Sequence, residues 1–122
     1  MEQKFLNIFK QQFDLLRENL LKLTNNDTYI KVNLNKIDSY INLVGLKTVV
    51  LLFNKELSVY EKQLLSKDEN FFLNLEIEVD QLKTLGNTLK NIYKETSEEN
   101  KNMMYQYVIL LYKLSSKVKS LN

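Results

Sequence analysis

The chain has 122 residues, with 17 Lys and Arg against 15 Asp and Glu and a net charge of +2; this fits one domain and nominates neither nucleic acid nor an anionic membrane on charge alone. Hydrophobic residues at 44% and charged residues at 26% are those of a globular chain, not a disordered one. Cys, His, Pro, Trp and Ala are absent, which excludes disulfides, structural zinc, imidazole-dependent triads and Glu-x-x-His di-iron sites.

Met1 to Gln12 do not read as a secretory signal: Glu2 is acidic, and Asn7 and Lys10 interrupt the apolar residues. The expectation is a cytoplasmic chain. Phe5, Phe9, Phe13, Leu16, Leu20 and Leu23 advance in steps of three and four, one stripe of an amphipathic helix. The turn formers Asn25, Asn26 and Asp27 should end it. Tyr29 to Asn33 is a loop or a helix start, since Ile30, Val32 and Leu34 alternate with polar residues but no partner strand is in view. Helical spacing then runs through Leu34, Ile37, Ile41 and Val44. It resumes past Gly45 with Leu46, Val50, Phe53, Leu57, Tyr60 and Leu64, so Gly45 either kinks one helix or separates two. No apolar run approaches the roughly 20 residues of a membrane span.

Ser66-x-x-Glu69 has the form of a capping box, and Phe72, Leu75, Val79, Leu82, Gly86, Leu89 and Tyr93 follow in a heptad rhythm. Gly86 lies in that seam, either to admit a close neighbour or as a weak spot. Thr96-x-x-Glu99 repeats the capping pattern, and Met104, Tyr107, Leu111, Leu114, Val118 and Leu121 form the last seam. The expected fold is all-α: residues 1–122 as a single compact bundle of four to five helices, the last two forming an antiparallel helical hairpin.

The two isolated glycines, Gly45 and Gly86, build no phosphate-cradling loop or dinucleotide fingerprint, and no cofactor is expected. One catalytic class survives, a Mg²⁺-dependent hydrolase using Glu76, Asp80, Glu95 and Glu98, but nothing acidic follows Glu99 to complete a facing pair, and a solvated face and a helix start account for these acids more simply. Residues 54–99 carry ten acidic against six basic side chains, whereas residues 100–122 carry Lys101, Lys113, Lys117 and Lys119 and no acid. These four lysines are an anion-facing candidate, or they complement the dipole of the last helix. Met103, Tyr105 and Tyr112, off the seam through Tyr107, are candidates to rim a partner interface, with ordinary packing in the fold as the alternative account.

Abundant Asn, Lys, Ile, Phe and Tyr beside the absence of Ala point to an AT-rich genome. The segment Ser97-Glu98-Glu99-Asn100-Lys101, followed by Met104, Tyr105, Tyr107, Leu110, Leu111, Tyr112 and Leu114, resembles the terminal helix of short proteins of giant DNA viruses. Tyr105 stands where those have Trp and Val108 where they have Leu. The resemblance covers the C-terminal helix alone and brings no catalytic residues. It implies a viral protein in the host cytoplasm or the virion. The functional expectation is a non-enzymatic helical bundle acting through a protein partner or self-association; the alternative is weak nucleic-acid binding through the basic C-terminal helix and its tyrosines.

Overall fold

In the computed structural model, which describes residues 1–122, the first apolar stripe forms α1 (Glu2–Leu23) and buries Leu6, Phe9, Phe13, Leu16 and Leu20. The helix stops where Asn25 and Asn26 both turn left-handed at φ 55°, a conformation Asn tolerates better than most residues. Asp27 then accepts the Ile30 N–H at 3.0 Å and starts α2 (Thr28–Val44). Tyr29 to Asn33 is thus a helix start. Gly45, at φ 94° and ψ 148°, ends α2 and begins α3 (Leu46–Ser58), so two helices meet there rather than one kinking.

Beyond α3 the expected helical spacing gives no long helix before residue 80, so the heptad rhythm read from Phe72 is not one continuous helix. Only one turn and a half, α4 (Glu61–Leu65), carries Leu64 into the core. The Ser66 hydroxyl donates backwards to the Gln63 carbonyl and Lys67 takes φ 54°, so the capping box at Ser66 does not form. A single turn, α5 (Phe71–Asn74), follows, and residues 75–79 are non-helical. In this segment Leu75, Ile77 and Val79 point inward while Glu76 and Glu78 are exposed, a period of two rather than 3.6.

No strand pairs with the segment; side chains serve its backbone instead. The Tyr60 hydroxyl accepts the Glu76 N–H at 3.1 Å and donates to the Glu76 carbonyl at 3.4 Å. The Glu56 carboxylate accepts the N–H groups of Val79 at 3.0 Å and Glu78 at 3.5 Å, satisfying donors beside the start of α6 (Asp80–Glu95), which has no cap of its own. Gly86 of α6 makes room for the same segment: a Cβ there would stand 2.9 Å from Ile77 Cδ1. The close neighbour at Gly86 is therefore an extended strand-like piece, not a helix.

Ser97, one residue after the expected Thr96, caps α7 (Glu98–Ser120) by accepting the Asn100 N–H at 3.2 Å. The chain is all α-helix, with five long helices, two short ones and no strand. Consecutive α6 and α7 are joined by a two-residue turn, but α7 packs chiefly along α1 and α3, and α6 along α2. Near the junction of α6 and α7, α5 packs its rings against both helices. The Phe72 ring sits 4.8 Å from Tyr93 of α6 and 5.0 Å from Tyr105 of α7, and Phe71 stacks edge-on against Phe72 at 4.8 Å. One apolar cluster of 28 buried residues runs through every helix, and no helix is long and apolar enough to cross a membrane.

Candidate functional site

The position of α7 decides the fate of the residues expected on its surface. Because it touches α1, α3, α4 and α6, it buries far more of its girth than one stripe: Met104, Tyr105, Val108, Leu111, Tyr112, Ser115 and Val118 are all inside. Tyr105 and Tyr112 are therefore core residues and do not rim an interface, a correction with a simple geometric cause. A seam read at one period marks the centre of the buried arc but not its width. Met103 is only partly buried and packs against the core, as does Tyr107, whose hydroxyl accepts from Asn19 Nδ2 at 3.2 Å.

Both buried phenols are committed inside the fold. The Tyr105 hydroxyl donates to the Asp68 carbonyl and the Tyr112 hydroxyl to Glu61 Oε1 at 3.0 Å. Burial, and after it the Tyr93 hydroxyl, pushes the Tyr105 phenol well above the ordinary tyrosine value; burial and the Glu61 carboxylate raise that of Tyr112. Neither ring is free to stack on a base.

The lysines divide. Lys101 bridges Glu98 at 3.4 Å and lies 4.9 Å from the centre of the Tyr93 ring, which makes it part of the packing at the start of α7. Lys113, Lys117 and Lys119 are exposed and make no ion pair. The acids proposed for Mg²⁺ lie apart. Glu76 and Asp80 stand at one end of α6 and Glu95 and Glu98 at the other, separated by about 22 Å at 1.5 Å per residue. No group of three acidic side chains gathers anywhere in the fold.

The densest charge cluster joins α1 to α2. Arg17 reaches Asp14 at 2.6 Å and Asp38 at 2.5 Å, and Lys10 reaches Asp14 at 2.6 Å and Asp38 at 3.5 Å. With two cations against two anions and the guanidinium 5.6 Å from the centre of the Phe13 ring, this is a closed structural staple.

Two features remain uncommitted, both beside α2. Its outer face carries Tyr29, Val32 and Leu43 at 75%, 52% and 79% exposure. Steps of three, four and seven through Lys36 place all four residues on one side of the helix. Next to this face, a cleft of about 700 Å³ opens between α2 and α6. Its floor holds Asn33 and Thr88, at 7% and 6% exposure, and Thr84, Asn87 and Asn91 continue the polar lining along α6. The rim carries Lys36 and Lys94 against Asp27 and Glu95. Sequence reasoning missed this site because it followed the apolar stripes. The signal was present as Thr84, Asn87, Thr88 and Asn91, polar residues at i, i+3, i+4 and i+7 flanking the α6 seam.

No protein-family model, curated protein or solved structure matches the chain.

Proposed function

We propose that the protein is a non-enzymatic helical bundle that acts by binding another protein through the outer face of α2. The observation that carries this reading is the exposed stripe of Tyr29, Val32 and Leu43, large apolar side chains aligned as a partner helix would engage them. Lys36 specifies the kind of partner. An antiparallel self-pairing that set Tyr29 against Leu43 would bring Lys36 opposite its own copy, and like charges directly opposed weaken an interface. A different protein with an acidic residue at that point meets both the stripe and the charge. The likeness of the C-terminal helix to giant-virus proteins makes an infected cell the setting in which to look for it.

The test is a photo-crosslinking amino acid at position 43, with the same group at exposed Gln106 on α7 as control. A single defined adduct from position 43, absent at 106 and lost in Lys36→Glu, supports the reading. Equal adducts from both positions, or none from 43, reject it. Light scattering across a dilution series provides the second arm: a dimer that survives dilution and dissociates in Leu43→Ser would replace the foreign partner by a second copy of the chain.

A further inference from the structure

We propose that the cleft between α2 and α6 binds a small, neutral ligand rich in hydroxyl or amide groups, of the size and chemistry of a sugar. Its volume of about 700 Å³ falls within the span of small-molecule sites. More telling are Asn33 and Thr88. Each is more than nine-tenths buried and lines the cleft, and neither side chain has a hydrogen-bond partner within the fold. Neither side chain is sealed from solvent with its polar atoms unpaired, so those atoms open into the cleft, where a ligand can meet them.

The surroundings specify the ligand. Carboxamides offer donors and an acceptor on one group, so Asn33, Asn87 and Asn91 match a partner that also presents both, as vicinal hydroxyls and acetamido groups do. Lys36 and Lys94 are balanced by Asp27 and Glu95, leaving no net field to select an ion. Tyr29, three-quarters exposed at the rim, offers a ring face to the C–H side of a sugar beside a polar hydroxyl.

The cleft shares Tyr29 and Lys36 with the α2 docking stripe, but Asn33 and Thr88 lie off that stripe, so their variants test the cleft by itself. The experiment is an amide-resolved NMR titration of the full chain with N-acetylglucosamine, its disaccharide, glucose and, as a charged comparison, adenosine monophosphate. Shifts confined to α2 and α6, including the side-chain amides of Asn33, Asn87 and Asn91, and larger for the neutral sugars, are expected. Asn33→Leu and Thr88→Val should each weaken binding by about tenfold while melting close to the wild-type temperature, a pairing that a merely structural role would not give. No shift at millimolar sugar, shifts outside the cleft, a stronger response to the charged nucleotide, or unchanged binding in both variants would overturn the proposal.

Discussion

The layer formed by α1, α3 and α7 and the connection from Leu64 to Val79 bury comparable side chains by opposite means. In the first, long helices place Leu, Phe and Val at spacings of three and four, and each helix satisfies its own backbone. The second is short turns and an extended piece whose backbone depends on Glu56 and Tyr60, outside it in sequence. Yet it contains Phe71 and Phe72, both fully buried. Regular helices thus supply the frame, while the least regular segment supplies the aromatic plug packed against both α6 and α7.

Removing that plug has the largest expected effect. Phe72→Ala should cost about 3–5 kcal/mol, because the cavity would open between Tyr93 and Tyr105 and neighbouring helices cannot close on it. The same truncation at Leu110, 39% exposed on α7, should change stability by no more than about 0.5 kcal/mol. Urea unfolding of the two variants measures the contrast, and equal losses would remove the distinction between plug and frame.

Alkali probes the same region through its tyrosines. The folded state raises the phenol of Tyr105 above its ordinary value of 10.0 and raises that of Tyr112 as well, so above pH 10 the unfolded chain releases protons that the fold retains. Stability is therefore intact below about pH 10 and falls as pH rises beyond it. Tyr105→Phe should lose about 1 kcal/mol at neutral pH with its hydrogen bond to the Asp68 carbonyl, and its stability should fall less steeply in alkali. Denaturation midpoints from pH 8 to 11 separate the two effects.

Where the extended piece meets α6, a double-mutant cycle sharpens the comparison. Gly86→Ala alone should destabilise by about 1 kcal/mol, since the new methyl meets buried Ile77 Cδ1. In an Ile77→Ala background that atom and Cγ1, which would lie 3.2 Å from the new methyl, are both gone, and the same change should stabilise by about 0.5–1 kcal/mol through the ordinary preference of a helix interior for Ala. Additive effects in thermal melts would show that the strand-like piece does not press on Gly86.

The smallest effect is expected at Lys67. Its left-handed φ of 54° strains a residue with a Cβ, and Lys67→Gly should stabilise by about 0.5 kcal/mol after the entropy of glycine is counted. A gain in melting temperature checks it.

How far the sequence could be read follows the same division. The turn formers Asn25, Asn26 and Asp27, the α1 stripe and an interruption at Gly45 all depend on residues within a few positions of one another, so local spacing and turn chemistry located them, whereas the structure decided that Asp27 caps α2 and that Gly45 separates two helices. Leu75, Ile77 and Val79 also advertised their conformation, as strict alternation with Glu76 and Glu78, but the heptad through Phe72, Leu75, Val79 and Leu82 overlaps that pattern and masked it. The cleft was legible only as a polar stripe on α6, with nothing in the sequence to say that Asn33 lay across from it.

Helix content, the boundaries of α1, the chemistry excluded by missing His and Cys, and the single apolar core were determined by composition and period, because each is a property of a residue type or of neighbours along the chain. The tertiary structure alone decided that α7 is central and hence that Tyr105 and Tyr112 are buried, that Glu56 and Tyr60 serve a backbone roughly twenty residues away, and that α2 and α6 frame a polar cleft. These depend on which faces meet, and a period fixes the direction of a face without naming its neighbour.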